Sequence, residues 1–210
     1  MEIIIVGAGG FGKEVAFLIK ELSDYNLLGF VDDSIDKLPD SICNKPVLGK
    51  IDYLDSYSKK IHIVIAIASP EIREKIYLKL SKNTNILFPN LVSNRALLGF
   101  DISIGIGNIL MPYTTYTADI NIGNFNMINI HSTIGHDVTL GDFNSIFPNV
   151  NISGNNTIGN KNQIGVATKT IQDISIGDET IIGAGSTIVR DIKSKTKNVG
   201  TPTNVIESWG

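Results

Sequence analysis

The sequence predicts a two-part chain, an N-terminal α/β unit followed by a parallel β-solenoid of triangular section. Three observations carry this. Five segments 18 residues apart align without gaps: Ser103-Ile104-Gly105, Asn121-Ile122-Gly123, Thr139-Leu140-Gly141, Thr157-Ile158-Gly159 and Ser175-Ile176-Gly177. Within them runs a finer period of six, with Ile or Leu at 122, 128, 134, 140, 146, 152, 158, 164, 176, 182 and 188, and only Thr170 interrupts it. Ahead of the repeat, an apolar β-branched run at residues 3–6 leads through a glycine-rich turn into a helical stretch.

A period of six matches neither a helix face nor the alternation of one long strand. It suits short flat sides, each turning one Ile or Leu inward and ending in a corner of small or turn-forming residues. Three sides close one coil of 18 residues, and stacked coils satisfy each other's backbone groups while burying the apolar columns. The repeated Ile and Gly residues therefore build the prism and do no chemistry. The solenoid is expected over 89–210 and the α/β unit over 1–88.

The α/β unit opens with a strand at residues 3–6, then Gly7-Ala8-Gly9-Gly10-Phe11-Gly12, then a helix from Lys13. Such glycines let a diphosphate approach a helix N-terminus, where free N–H groups favour anions. A second strand, Leu27 to Val31, ends in Asp32-Asp33, and an acidic residue about 20 positions after the turn commonly receives ribose hydroxyls. A third strand, Ile61 to Ala68, leads through Ser69-Pro70 to a helix over 71–82. The motif read alone suggests NAD. The stretch before the solenoid is half a dinucleotide fold, however, with room for one nucleotide and hardly for two.

The bulk composition excludes several classes. A formal net charge of -3 gives no general attraction to nucleic acid or an anionic membrane. Cys43 is the single cysteine, so no intrachain disulfide or cysteine-built zinc site forms, which fits a reducing, cytoplasmic compartment. The apolar run at the N-terminus is too short for a signal segment or membrane span.

Residues 90–206 resemble the hexapeptide-repeat acyltransferases, whose fold is a left-handed parallel β-helix; the rule for parallel crossovers alone favours the other hand. Nearly the whole chain resembles one group of these, the sialic-acid O-acetyltransferases and UDP-4-amino-sugar N-acetyltransferases. There a small nucleotide-sugar domain precedes the β-helix. Gly9, Gly10, Phe11 and Gly12, the run Asp32, Asp33 and Ser34, and the loop with Ala68, Ser69 and Glu71 carry the resemblance. It implies that these residues contact a nucleotide-linked amino sugar. Where the group usually has Gly-Asn, this chain has Ala68-Ser69.

His62, His131 and His136 are the three histidines. His62 lies in an apolar strand and reads as structural. Acetylating an amine requires a base near neutrality, which imidazole supplies. The resemblance places that base at His136, with Asp137 beside it to orient the ring, and leaves His131 structural or substrate-adjacent. It also implies acetyl-CoA contacts at Ser145, which stands where relatives often have a second histidine, and at Gly154, Val166 and Ala184. The Gly154 N–H would stabilise the oxyanion. A homotrimer, no metal and a role in surface-glycan biosynthesis complete the expectation.

Three other readings remain open here. O-acetylation of a sialic acid would use the same base. A solenoid carbonic anhydrase needs three histidine ligands, and this solenoid has two. An ice-binding solenoid shows regular rows of Thr, which are missing from this sequence.

Overall fold

A computed structural model describes all residues, 1–210. Two compact units divide between Leu91 and Val92. The first is a parallel sheet flanked by helices: β1 (Glu2–Val6), α1 (Gly10–Glu21), β2 (Asn26–Val31), β3 (Ser41–Ile42), β4 (Lys45–Gly49), β5 (Ile61–Ile65), α2 (Pro70–Leu80) and β6 (Ile86–Leu87). The strand order is β3-β4-β2-β1-β5-β6, parallel except for the β3–β4 hairpin. Strand order therefore reverses between β1 and β5, and ligands of open α/β sheets bind outside the strand C-termini at such a reversal.

Apolar residues on both faces make β1 a central strand, with Ile3, Ile4, Ile5 and Val6 all fully buried. Helix α1 buries Gly12, Val15, Ala16 and Ile19, the i, i+3, i+4, i+7 stripe of an amphipathic helix. Three elements differ in their bounds from the sequence expectation, the first being α1, which starts at Gly10 within the glycine run rather than at Lys13. Strand β5 stops at Ile65 rather than Ala68, because the Ile67 and Ala68 carbonyls accept from the Arg73 guanidinium, at 2.6 and 3.4 Å, instead of a neighbouring strand. Helix α2 begins at Pro70, with Ser69 as N-cap, and ends at Leu80. The short strands β3, β4 and β6 were not expected; two of them are dipeptides, too brief to show a period.

The second unit is a left-handed parallel β-helix. Each short strand pairs with the one 18 residues on, as in Thr139↔Thr157↔Ser175 and Ser145↔Gln163↔Ile181. The Ile and Leu columns fill its interior. Thr170 is buried within them, and its hydroxyl accepts from the Ser153 N–H at 2.9 Å and from Asn156 Nδ2 at 2.6 Å. The one polar member of the column is thus hydrogen-bonded, as a buried polar group must be.

The corners explain the repeat's composition. Asp119, Phe125, His131, Asp137, Phe143, Asn149, Asn155, Lys161, Ala167, Asp173 and Glu179 all have φ between 53° and 63°. This left-handed conformation costs an L-residue roughly 1–2 kcal/mol, least for Asn and Asp, which recur here. Bonds between coils offset it: Asp137 N–H donates to the Ala118 carbonyl, Asn155 N–H to His136 and Asp173 N–H to Gly154, at 3.0, 2.8 and 3.2 Å. Inside one corner, buried Asn108, Asn126, Asn144 and Asn162 form a ladder, each side-chain oxygen accepting the backbone N–H of the next at 2.8–2.9 Å.

Candidate active site

One corner of the prism carries Phe100, Ala118, His136, Gly154 and Gln172, a residue every 18, each followed by its turn residue. The left-handed turn at Asp137 folds its carboxylate back to the preceding ring. His136 Nδ1 lies 2.7 Å from Asp137 Oδ2, with both side chains more than half exposed. An Nδ1–H donating to that carboxylate leaves the Nε2 lone pair free.

The ring occupies a space that only glycine leaves open. A Cβ on Gly154 would come within 2.5 Å of His136 Cε1 and would also overlap Nε2. The Gly154 N–H bonds to no protein group. On a neighbouring corner the equivalent N–H groups are occupied: Asn124 donates to Asp142 Oδ1, Asp142 to Asn160 Oδ1 and Asn160 to Asp178 Oδ1, at 2.6–2.8 Å. The His136 edge lacks that side-chain ladder because none of its rungs, Phe100, Ala118, His136, Gly154 and Gln172, is the short Asn or Asp that accepts there.

His136, Asp137 and Gly154 therefore come together within the chain. Val166 and Ala184 stack one coil apart on a different corner, both exposed, and their N–H groups bond to no protein acceptor. Ser145 is fully buried on the side opposite the His136 corner, so one copy of the chain does not bring it to the ring. His131 lies on the Val166 corner, its ring stacked on Tyr113 at 5.2 Å between centroids. His62 sits against the Glu2 carbonyl at 3.3 Å and edge-on to Tyr25, a structural placement.

In the N-terminal unit, a cavity of about 460 Å³ opens at the strand C-termini where the order reverses. Gly7, Asp32, Asp33 and Ser34 line it, with Ile51, Ile67, Ile72, Lys75, Ile76 and Lys79. The last group was missed from sequence, although 72, 75, 76 and 79 lie at the spacing of one helix face. Lys79 is ion-paired with Asp52, with Asp55 at 3.7 Å, and its pKa is raised chiefly by the Asp52 hydrogen bond. A larger groove of about 570 Å³, lined by Lys13, Phe17, Tyr25 and Cys43 among others, includes none of the sequence-predicted residues.

Several predicted contact residues also hold their own backbone in place. Asp32 accepts from the Ala8 and Ser34 N–H groups, both at 2.8 Å, and so ties the glycine turn to β2. Asp33 accepts from Ile51 N–H at 3.0 Å. Ser69 Oγ donates to Glu71 at 2.7 Å and accepts from Ile72 N–H, capping α2. Burial pulls the Arg73 guanidinium down to about 9, still charged at neutral pH, where it fixes the loop through Ile67 and Ala68.

The four glycines divide sharply. A Cβ on Gly12 would overlap the Gly7 carbonyl oxygen, and Gly7 has φ +104° with Ala66 O 2.7 Å from its own would-be Cβ. Those two serve packing. Gly9 and Gly10 meet nothing within 4 Å, so no packing demands their small size. They leave a cradle open beside the N-terminus of α1, with Phe11 next to it in the first turn.

Residues 2–80 match the PglD N-terminal domain family. No curated protein matches the sequence significantly. Among solved structures, the acetyltransferase domain of PglB from Neisseria gonorrhoeae FA1090, in complex with acetyl coenzyme A, has TM-score 0.92 and 29% identity, over 98% of each chain. WeeI from Acinetobacter baumannii AYE has TM-score 0.88 and 27% identity, over 98% of this chain and 100% of its own. PerB from Caulobacter crescentus, in complex with CoA and GDP-perosamine, has TM-score 0.90 over 99% and 98% of the two chains; at 24% identity it speaks to the fold. Its N-terminal domain thus matches the PglD family, and over nearly its whole length the chain is similar in fold and coil register to acetyltransferases of the hexapeptide-repeat kind.

Proposed function

We propose that the protein transfers an acetyl group from acetyl-CoA to the amino group of a nucleotide-linked 4-amino-4,6-dideoxyhexose, in the supply of a surface glycan. One observation carries this reading: the His136 ring, held by Asp137, lies over a side-chain-free Gly154 with an unused N–H. The amine nitrogen attacks the thioester carbonyl carbon while His136 Nε2 accepts its proton. The Gly154 N–H donates to the oxyanion that forms. Collapse breaks the carbon–sulfur bond, and the proton passes from Nε2 to the departing CoA thiolate. Val166 and Ala184 offer two further N–H donors along the path of the CoA arm. With Cys43 free and exposed, we place the activity in the reducing cytoplasm.

The test is acetyl-CoA-dependent thiol release with nucleotide-linked amino sugars against hydroxyl acceptors such as free sialic acid. Turnover of the amino sugars supports the reading; turnover of hydroxyl acceptors alone replaces it with O-acetylation. For the acceptor site, Gly9→Ala is expected to leave the melting temperature unchanged while raising KM for the nucleotide sugar and not that for acetyl-CoA. Gly12→Ala instead lowers stability by roughly 1–3 kcal/mol, because backbone would have to move. Equal effects of Gly9→Ala on both substrates would remove the phosphate cradle.

We also propose a homotrimer. Ser145, Val166 and Ala184 lie away from His136 within one chain, so an acetyl-CoA site using all of them needs a neighbouring copy. Light scattering at working concentration should give three times the chain mass of 22.8 kDa. A fully active monomer would refute this.

A further inference from the structure

The edge that carries His136 continues towards the N-terminal end of the solenoid, through Ala118 to Phe100. Phe100 is 80% exposed, the most exposed large apolar side chain of the protein. It is held at the edge by a close approach of coils, since a Cβ on the adjoining Gly99 would overlap the Thr117 carbonyl oxygen. Ala118 pairs with Phe100 in the strand ladder, and its carbonyl accepts the Asp137 N–H at 3.0 Å, so the three rungs are in strict register.

Coils stack at about 4.8 Å, which places Phe100 about 10 Å from His136 along the edge. The rung between them is Ala118, whose side chain is a single methyl group. Contact distances of about 4 Å on either side leave room for one saturated ring. The turn residue of the middle rung, Asp119, is exposed, and its carboxylate has no hydrogen-bond or ion-pair partner in the chain. Gly154, with its free N–H, lies on the other side of His136. The edge is therefore asymmetric, with an oxyanion donor on one side of the base and an aromatic ring, a gap and a carboxylate on the other.

We propose that Phe100 and Asp119 determine acceptor specificity, Phe100 stacking on the apolar face of the amino-sugar ring and Asp119 accepting a hydrogen bond from its amino group. This rests on the sugar N-acetyltransferase reading above. A 6-deoxy sugar offers a C–H face with a methyl at its rim, which suits an aromatic platform better than a hydroxymethyl group does. The positive edge of the amino group suits the carboxylate. Aligned in this way, the nitrogen lone pair points across His136 towards the thioester held at Gly154.

The experiment is steady-state acetyl transfer with the full chain, comparing a nucleotide-linked 4-amino-4,6-dideoxyhexose with its 6-hydroxy counterpart. Phe100→Ala should raise KM for the 6-deoxy acceptor roughly two- to tenfold, the range of a lost aromatic contact, with little change in KM for acetyl-CoA. Its preference over the 6-hydroxy acceptor should narrow, and Phe100→Tyr should restore most of the loss. Ala118→Leu, which fills the gap, should raise the acceptor KM further. Asp119→Ala should raise it for both acceptors, and Asp119→Asn less. An unchanged acceptor KM in Phe100→Ala overturns the proposal. So does a fall in oligomeric mass with both KM values raised, which marks Phe100 as an interface residue. Failure of the wild-type chain to acetylate any amino sugar would instead sink the underlying reading, and this inference with it.

Discussion

His136→Ala is expected to lower kcat by roughly a hundredfold to ten-thousandfold, the range for loss of a positioned general base. KM for acetyl-CoA should change little, since the base does not hold that substrate. The side chain is more than half exposed, so the variant should melt as the wild type does. Asp137→Asn should cost less: an amide still reaches Nδ1, but without the charge that fixes which ring nitrogen carries the proton. His131→Ala is the control. Its ring stacks on Tyr113 at another corner, so turnover should persist. Loss of turnover in His131→Ala, with turnover kept in His136→Ala, would show the base to be misassigned.

Gly154→Ala is expected to lower kcat by about a hundredfold or more with the fold intact. The added methyl enters the volume of the His136 ring. An exposed ring swings away at little energetic cost, so stability should hold while the base moves. A displacement of about 1 Å is enough for a loss of this size. The same methyl crowds the approach to the Gly154 N–H, and losing an oxyanion donor alone costs roughly 100- to 1,000-fold. The expected pattern is an unchanged thermal midpoint, nearly unchanged KM values and a collapsed kcat. A variant with wild-type kcat would show that the ring does not work from the position above Gly154. Partial recovery in the double variant His136→Ala/Gly154→Ala is not expected, because the first change already removes the base.

The solenoid was legible in the sequence because its energetics are periodic. Every sixth residue meets the same interior, so Ile122 through Ile188 repeat the same choice, and the Thr170 interruption proves to be a buried hydroxyl with two partners. The first strand, the glycine turn and α1 were legible for a related reason: local backbone demands select residue types locally. His136 and Asp137 were readable as neighbours in the chain, and the turn between them needs no distant contact.

Tertiary structure alone decided the rest. That the space beneath His136 belongs to Gly154, 18 residues on, follows from coil stacking. That Gly12 is required for packing while Gly9 and Gly10 are not depends on what each absent Cβ would meet. The second duty of Asp32, tying down Ala8, and the shortening of β5 by Arg73 arise from hydrogen bonds that close across the fold. The cavity wall on α2 emerges only once β1, β2 and β5 are ordered side by side. Residue identity records a demand that recurs along the chain. A demand met once, between segments far apart in sequence, leaves no pattern there, and only the packed structure reveals it.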